Sequence, residues 1–462
     1  MLSKVGSDIR ITDPSDELLK WCKGNLVLNN PDYQKKARMH LWLGNTPREI
    51  TLYAINGKEL VLPFGCLREV LPMLSGDLVT TYRTPAKVDF GGTVPLWGYQ
   101  TEALKALIAS HYGILRSPAG SGKTQIGIAL AENLGVKTLW LTHTRDLLSQ
   151  SKHRAEMYID PSKLGTITEG TVSIGESMTF ATIQTMCKLD LDAYKHTWDC
   201  VIVDECHRVS GTPTAVTQFS KVLNSLSARH KYGLSATVHR ADGLIKATYA
   251  MLGNVVYSVP DEAVKSKVMT VNIKPIGTRI GLDTDFLNPD GTINYAKMIT
   301  YLVQQEGRNQ LIVDNLVDNS DHYNLVLSER VDHLKTLYSM LPGCLQKQAS
   351  VIDGKMTSKK RKAEREQAIE DMRTGKKRYL FATYSLAKEG LDIPRLDRLH
   401  MVTPQKDYAV IVQSVGRVAR TFDSKSQPWV YDYVDQMINL MKAYKKRCSH
   451  YRKCGCEIIE GD

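Results

Sequence analysis

Short apolar runs alternate with helix-like segments along most of the chain. Beyond Pro95 these runs are Gly113–Arg116, Thr138–Thr142, Cys200–Val203 and Tyr232–Ser235, and after about Pro260 they are Tyr323–Ser328, Arg378–Thr383, Leu399–Val402 and Trp429–Tyr431. Continuous short apolar runs are typical of parallel strands covered on both faces, and their alternation with helices indicates a doubly wound sheet. The pattern therefore predicts an α/β fold with two such domains in tandem.

The chain before Pro95 follows a different pattern. Its apolar runs Met39–Leu43, Ile50–Ile55 and Glu59–Leu62 are separated by turn signals, and Asn56-Gly57 between the last two is a strong hairpin signal. We therefore predict a small β-containing N-terminal module over residues 1–92. The first α/β domain then covers residues 93–262, the second covers residues 263–445, and residues 446–462 form a basic, cysteine-containing tail.

Composition narrows the class of protein. The 462 residues are 42% hydrophobic and 24% charged, as in a folded globular protein, and the net charge of +11 favours a polyanionic partner such as nucleic acid. The opening residues have no apolar core of signal-peptide length, so we do not expect secretion. The sequence contains no run of about 18 apolar residues, so it predicts no membrane-spanning helix. Because nine cysteines are an odd number in a long chain, we expect reduced thiols and a cytoplasmic location, in a bacterium or a phage-infected host.

The segment Ser117–Thr124 carries the strongest chemical signal. It follows a predicted strand and precedes a helix-like run, with Gly120, Ser121 and Gly122 ahead of Lys123 and Thr124. Glycines let backbone N–H groups approach phosphates at a helix N-terminus, the lysine reaches the β- and γ-phosphates, and the threonine hydroxyl suits Mg²⁺. This is a P-loop for a nucleoside triphosphate, although Ser117 stands where the strict pattern has glycine.

Two further groups of residues suit hydrolysis of that triphosphate. Asp204 and Glu205 end the predicted strand from Cys200, where Asp204 would hold Mg²⁺ and Glu205 would orient and deprotonate the attacking water. Near the other end of the chain, Arg417 and Arg420 are three positions apart and share one helix face. Paired guanidinium groups of this kind are suited to reach the phosphates from the second domain.

These blocks resemble, in the same order, the motifs of superfamily-2 helicases of the DExH type. Further resemblances lie at Tyr99-Gln100, Leu141–Leu147, Phe180–Thr185, Leu234–Gly243, Val326–Leu334 and Ala382–Pro394. The Arg240-x-Asp242-Gly243 sequence is similar to that of the XPB-like and phage UvsW-like branch. Cys206 occupies the variable position of the Asp-Glu-x-His box. The resemblance implies two RecA-like domains that close over ATP and move along a nucleic-acid strand.

The resemblance also implies roles for individual residues. For ATP and Mg²⁺ it implies contacts from Gln100, the P-loop residues, Asp204, Glu205, Gly390, Asp392, Gln413, Arg417 and Arg420. For the nucleic acid it implies contacts from Thr142, Arg145, Thr182, Gln184, Arg330 and Thr383. Ser235 and Thr237 would couple the state of ATP to the strand.

The expected function is that of an ATP-dependent DNA helicase or translocase. It would unwind or branch-migrate single-stranded, forked or branched DNA in recombination, repair or replication. The alternatives are an RNA helicase, a duplex translocase that separates no strands, and an ATP-switched nucleic-acid clamp. The N-terminal module would either engage DNA or cover one face of the motor.

The C-terminal tail has two interpretations. Three thiols and the His450 imidazole between Cys448 and Cys456 could hold Zn²⁺, but their spacing differs from that of a zinc knuckle, which favours a reduced tail. Its lysines and arginines, with Tyr444 and Tyr451 among them, would then contact phosphates and bases.

Overall fold

The computed structural model describes residues 2–118, 120–209, 213–237, 244–265, 269–278, 280, 286, 288, 294–353, 359–389, 391 and 393–459. The chain divides into two units, Met1–Asp261 and Glu262–Asp462.

The strands of the first unit are β1 (Ser3–Val5), β2 (Asp8–Thr12), β3 (Val27–Asn29), β4 (Glu49–Thr51), β5 (Ala54–Asn56), β6 (Glu59–Pro63), β7 (Leu78–Thr80), β8 (Tyr112–Arg116), β9 (Thr138–Thr142), β10 (Leu164–Thr168), β11 (Thr171–Ser173), β12 (Met178–Thr182), β13 (Cys200–Asp204), β14 (His230–Ser235) and β15 (Val255–Ser258). Its helices are α1 (Asp16–Asn25), α2 (Pro31–Arg38), α3 (Leu67–Val70), α4 (Gly98–Ser110), α5 (Lys123–Leu134), α6 (Arg145–Glu156), α7 (Ile183–Met186), α8 (Pro213–Ser225) and α9 (Ile245–Leu252), and α10 (Asp261–Lys265) begins at the boundary between the units.

The strands of the second unit are β16 (Asn272–Gly277), β17 (Asn324–Ser328), β18 (Ala349–Ile352), β19 (Tyr379–Thr383), β20 (Arg398–Met401), β21 (Trp429–Val434) and β22 (Glu457–Ile458). Its helices are α11 (Tyr295–Gln304), α12 (Glu306–Asp318), α13 (Val331–Met340), α14 (Gly343–Gln346), α15 (Lys359–Thr374), α16 (Tyr384–Glu389), α17 (Tyr408–Val418) and α18 (Ile438–Lys453).

Each unit contains one large, mainly parallel sheet. The first has the strand order β11-β10-β12-β9-β13-β14-β8-β15, in which only the described pair β10·β11 is antiparallel. The second has the order β18-β19-β17-β20-β21-β16-β22, and its described pairs are all parallel. The predicted α/β fold with two doubly wound sheets is confirmed, because every apolar run named for the two domains coincides with a strand to within two residues at each end, except that β21 continues to Val434.

The N-terminal module has a sheet of its own, in the order β5-β6-β2-β1-β7. The predicted hairpin is confirmed, since β5 and β6 pair antiparallel around Gly57 and Lys58. The prediction of an apolar strand-like run at Met39–Leu43 is wrong: these residues follow α2 as a loop, and the Trp42 side chain is 89% exposed. Without a partner strand or a covering element, this run has nothing against which to bury its apolar side chains.

The module packs against the first large sheet through several kinds of contact. The buried Lys231 ammonium donates hydrogen bonds to the carbonyl oxygens of Ser7 (2.7 Å) and Leu223 (2.6 Å). The rings of Phe64 and Tyr112 meet edge to face with centroids 4.9 Å apart. The module therefore covers part of the motor, as one of the two interpretations expects, while its engagement of DNA stays a prediction.

The segment predicted as a C-terminal tail is part of the second unit. Residue 446 lies inside α18, and β22 pairs with β16 at the edge of the sheet. Arg447 is buried in a bidentate ion pair with Asp432, at 2.7 and 2.8 Å, and the buried Tyr451 hydroxyl donates to the same carboxylate. These two side chains are thus committed to the core, which corrects their interpretation as phosphate and base contacts.

Metal-ligand clusters and membrane-spanning helices are both absent from the described part of the chain. Within it, no group of three or more His, Cys, Asp or Glu side chains is placed to hold a metal ion, and this includes the cysteines near His450. Nor is any described helix long and apolar enough to cross a membrane.

Candidate nucleotide and nucleic-acid sites

The strand order of the first unit brings three predicted motifs to one edge of the sheet. Strand β14 lies between β13 and β8, with Leu234 paired to Asp204 and Ser235 paired to Arg116. The P-loop, the Asp-Glu box and the Ser-Ala-Thr segment leave the carboxyl ends of these adjacent strands. In open parallel sheets ligands bind at that edge.

The P-loop has the backbone that a phosphate cradle requires. Gly120 and Gly122 have φ of 83° and 75°, and Gly122 is the N-cap of α5. A Cβ at residue 122 would lie 2.5 Å from Nε2 of Gln100, so only glycine fits without displacing that side chain. The serine that replaces the first glycine is accommodated, because its Oγ lies 2.5 Å from Oγ of Ser121. Ala119 lies outside the described residues.

Tyr99 and Gln100 hold the P-loop from helix α4. The Gln100 side chain is buried, its Nε2 donates to the Ser121 carbonyl at 2.9 Å, and its Oε1 accepts from the Trp97 backbone at 3.0 Å. The Tyr99 hydroxyl donates to the same Ser121 carbonyl at 3.0 Å. These bonds position the loop, and the contact of Gln100 with adenine stays a prediction.

Lys123 and Glu205 form the central ion pair of the site. Nζ of Lys123 lies 2.8 Å from Oε1 of Glu205, and both side chains are largely buried, at 13% and 17% exposure. Glu205 adopts a left-handed backbone conformation with φ of 48°, just after β13. Such backbone strain in a non-glycine residue is typical of functional sites and costs roughly 1–3 kcal/mol.

The two adjacent carboxylates have opposite electrostatic environments. Burial and the neighbouring Glu205 charge raise the pKa of Asp204 to about 6. Burial on its own would also raise the pKa of Glu205, but the Lys123 ammonium and the His207 ring outweigh it and lower that pKa. Glu205 is thus held ionised near neutral pH, as a group that accepts a proton from water must be before it acts.

The second oxygen of Glu205 faces a short polar chain. Oε2 lies 3.2 Å from Nδ1 of His207, but it accepts no hydrogen bond from the described residues. Nδ1 of His207 instead lies 3.0 Å from Oγ of Ser235, which donates to the Thr237 carbonyl at 2.7 Å. An electrostatic contact from Glu205 to His207, followed by the hydrogen bond between His207 and Ser235, therefore places the carboxylate next to the segment predicted to couple ATP to the strand.

The residues present fit a Mg²⁺ ion accompanied by phosphates. Thr124 lies in the first turn of α5, which follows strand β8 in the chain. Asp204 ends β13, which is two strands from β8 in the sheet. One hydroxyl and one carboxylate are a suitable protein share for Mg²⁺, which keeps waters and substrate phosphates in its other positions. The ion would neutralise charge on the transferred phosphate.

The residues predicted to touch nucleic acid from the first unit lie near the ends of β9 and β12, which are paired. Thr142 and Thr182 are buried, and their hydroxyls bond locally, to the Thr144 carbonyl at 3.0 Å and the Thr185 hydroxyl at 2.9 Å. Arg145 is half-exposed and pairs with Glu169, and Gln184 lies 3.4 Å from the His143 ring. Their contact with a strand stays a prediction.

In the second unit, Arg417 holds the last turn of α16 and the residue Leu391 beyond it. Its Nε and Nη1 donate to the carbonyls of Ala387 and Leu391 at 3.0 and 2.9 Å. Oε1 of Gln413, one turn earlier on α17, is buried and accepts no hydrogen bond from the described residues. Arg420 follows α17 and is partly exposed.

Two further residues predicted for the second unit, Arg330 and Thr383, lie near the carboxyl ends of β17 and β19. Arg330 is an exposed N-cap of α13 whose Nη2 donates to the Ala296 carbonyl at 3.3 Å, and the Thr383 hydroxyl is 2.9 Å from that of Ser385. Gly390, Asp392 and the Arg240–Gly243 segment lie outside the described residues.

Sequence reasoning gave no role to two side chains that the structure brings into the site. His207 was visible as the last residue of the Asp-Glu-x-His box, but its link to Ser235 spans separate strands. Ser151, on α6, donates to Oδ2 of Asp204 at 3.4 Å. No sequence signal points to Ser151, because nothing local distinguishes it from other helical serines.

Two family models match the chain, one in each unit. The model described as "Type III restriction enzyme, res subunit" matches residues 93–240, which hold the P-loop and the Asp-Glu box. The model described as "Helicase conserved C-terminal domain" matches residues 307–422, which hold Gln413, Arg417 and Arg420.

Relatives and solved structures extend this likeness over most of the chain. An Acanthamoeba polyphaga mimivirus protein named as an ATP-dependent RNA helicase is 26% identical over 87% of this chain and 75% of its own length. The ATP-dependent DNA helicase UvsW of Enterobacteria phage T4 is 21% identical over 74% of this chain and 68% of its own length. The structure of the L327V variant of S. cerevisiae Dbp5 bound to RNA and ADP BeF3 shares the fold, with a TM-score of 0.57, 15% identity and coverage of 87% of this chain and 94% of that one.

The two matched models, the relatives and the ATP-site geometry agree with the order of motifs along the sequence. The chain is an ATP-dependent superfamily-2 helicase of the XPB- and UvsW-like branch.

Proposed function

We propose that this helicase acts on DNA, and that it unwinds or branch-migrates single-stranded, forked or branched substrates in recombination, repair or replication. The observation that carries the proposal is the likeness to phage T4 UvsW, which is named as a DNA helicase, over 74% of this chain. The net charge of +11 and the pI near 9.0 agree with a polyanionic substrate.

In the proposed reaction, the P-loop backbone and Lys123 bind the phosphates of ATP. The ionised Glu205 orients the attacking water through Oε2 and accepts its proton. We expect Gln413, Arg417 and Arg420 to face the γ-phosphate, with Gly390 and Asp392 nearby. Arginines supplied in this way stabilise the charge that spreads over the phosphoryl group during transfer.

An RNA substrate is the second candidate, favoured by the mimivirus relative that is named as an RNA helicase. The two are separated by steady-state ATP hydrolysis without nucleic acid and with single-stranded DNA, duplex DNA, a four-way DNA junction or RNA. We expect the largest stimulation with branched DNA, and Lys123→Ala supplies the background rate. Stimulation by RNA alone would contradict the DNA proposal.

Ser235 offers a test of coupling. Ser235→Ala removes the hydroxyl that meets both His207 and the Thr237 carbonyl, but it leaves Lys123, Asp204 and Glu205 in place. We expect ATP hydrolysis within about threefold of wild type and strand separation at least about tenfold slower, since loss of one buried hydrogen bond costs roughly 1–3 kcal/mol. The measurement is ATP consumed per base pair unwound.

Thr185→Ser is a suitable control for Ser235→Ala, because it keeps the hydroxyl that meets Thr182 and lies on α7, outside the chain from Glu205 to Ser235. An unchanged ratio of ATP consumed to base pairs unwound in Ser235→Ala would remove the coupling role.

A further inference from the structure

The N-terminal module has an exposed apolar loop. It contains Met39–Leu43, the apolar run that the sequence pattern misassigned. The side chains of Met39, Leu41 and Trp42 are 57%, 51% and 89% exposed. We define residues Met39–Gly44 as the apolar loop. Three large apolar side chains exposed together in one short loop mark a candidate interaction site, and tryptophan is enriched at such sites.

The loop stands on a closed base. Strands β3 and β4 pair antiparallel, with Asn29 opposite Glu49, and so bring the two ends of the intervening segment together. The buried Asn30 reinforces this closure: its backbone N–H donates to the Arg48 carbonyl at 3.0 Å and its Nδ2 donates to the Pro47 carbonyl at 2.8 Å. Asn30 also caps α2, which leads directly into the loop.

Internal contacts fix the conformation of the loop itself. The Leu41 N–H donates to the Lys36 carbonyl at 2.9 Å, and Nζ of Lys36 donates to the Thr46 hydroxyl at 2.6 Å. Gly44 has φ of +49°, and a Cβ there would lie 3.0 Å from Cζ3 of Trp42. The indole thus lies beside the backbone of Gly44 and leaves most of its surface to solvent.

The loop lies within a cationic segment. Lys35, Lys36 and Arg38 form the last turn of α2, and Arg48 follows the loop. No acidic residue occurs between Tyr33 and Arg48. All of α2 lies in the described part of the chain, and none of its side chains is buried.

An exposed, positioned indole flanked by cations matches the chemistry of unpaired nucleic acid, which offers base faces for stacking and phosphates for cations. An apolar protein partner would use the loop but not the four cations. We propose that Trp42 stacks on an unpaired base of the nucleic-acid substrate while Lys35, Arg38 and Arg48 contact its phosphates. This inference rests on the proposed action on nucleic acid and adds a binding site outside the motor motifs.

Trp42→Ala tests the proposal in the full-length chain. Fluorescence anisotropy with a labelled single-stranded DNA and a labelled forked duplex is expected to show affinity lower by about tenfold, the effect of losing one stacked base. Trp42→Phe keeps an aromatic face and is expected to stay within about threefold of wild type. Gly44→Ala, which must displace the indole, is expected to fall between them.

Ile55→Ala is the matched control, since Ile55 is 53% exposed on β5 of the same module and lies away from the cationic segment in sequence. ATP hydrolysis without nucleic acid is expected to be unchanged in all four variants. Affinity of Trp42→Ala equal to that of Ile55→Ala would overturn the proposal.

Two other results would count against these proposals, each in a different way. Failure of the wild-type chain to bind any nucleic acid would contradict the proposed function as a whole. A change in sedimentation of Trp42→Ala with unchanged nucleic-acid affinity would overturn the proposal in favour of a protein contact at the apolar loop. Quenching of tryptophan fluorescence by bound DNA is expected to be smaller in Trp42→Phe than in wild type, although five of the six tryptophans remain.

Discussion

Replacing Glu205 with Gln is expected to lower nucleic-acid-stimulated ATP hydrolysis by about 10²–10⁴-fold, the contribution typical of a positioned general base. The amide cannot accept the proton of the attacking water, whereas the native carboxylate is ionised because Lys123 and His207 lower its pKa. The amide oxygen can still accept the hydrogen bond that Lys123 donates at 2.8 Å. Binding of ATP should therefore persist, and it is measured with a fluorescent ATP analogue.

Glu132→Gln is the control for this experiment. Glu132 lies near the end of α5, where its carboxylate accepts a hydrogen bond from Asn133 at 2.8 Å, and it takes no part in the site. We expect its rate to match that of wild type. Hydrolysis by Glu205→Gln within about threefold of wild type would show that another group accepts the proton.

The central strands of the two large sheets were predictable because they are short apolar runs that are buried on both faces. Strands β9 and β13 agree with their predicted runs to within one residue, and every residue of both is buried. The edges were harder: β11 is exposed along its length, and its polar sequence gives no continuous apolar signal.

The N-terminal module shows why local pattern is insufficient. Strand β2 (Asp8–Thr12) pairs with both β1 and β6, yet it was not predicted, because Asp8 and Arg10 interrupt its apolar residues. Their side chains form an ion pair at 3.1 Å, which satisfies the largely buried Asp8 carboxylate. The apolar run at Met39–Leu43 makes the opposite point, since its side chains stay in solvent. Only tertiary partners decide either case.

The ATP site was predictable to a similar, uneven degree. The P-loop and the Asp-Glu box follow strands in the sequence, so their chemistry could be assigned from local order. The link from His207 to Ser235 joins residues that are 28 positions apart and depends on the neighbouring placement of β13 and β14. Such a contact follows from strand order, which the sequence alone left undetermined.

Disruption of a buried ion pair in the second unit is expected to have the largest effect on the free energy of unfolding. The side chains of Arg308 and Asp435 are fully buried, and Nε of Arg308 lies 2.7 Å from Oδ1 of Asp435. Nη1 of Arg308 also donates to the Val402 carbonyl at 2.9 Å, so this residue joins α12 to the ends of β20 and β21. Arg308→Met leaves a buried carboxylate without its cation, and we expect the free energy of unfolding to fall by about 3–5 kcal/mol.

The comparison that isolates this charge effect is Arg308→Met with Asp435→Asn, which removes both charges. Because the main cost of the single variant is the uncompensated carboxylate, the double variant should recover part of the lost stability. Arg378→Met is the control, since Arg378 pairs at 3.3 Å with Asp321, whose side chain is 98% exposed, and such pairs contribute less than about 1 kcal/mol. For all three variants, the free energy of unfolding is measured in urea, with hydrogen exchange in peptides of β20 and β21 as the probe. A double variant less stable than Arg308→Met would mean that hydrogen bonds to Asp435, including the one from Thr278 at 2.6 Å, matter more than the buried charge.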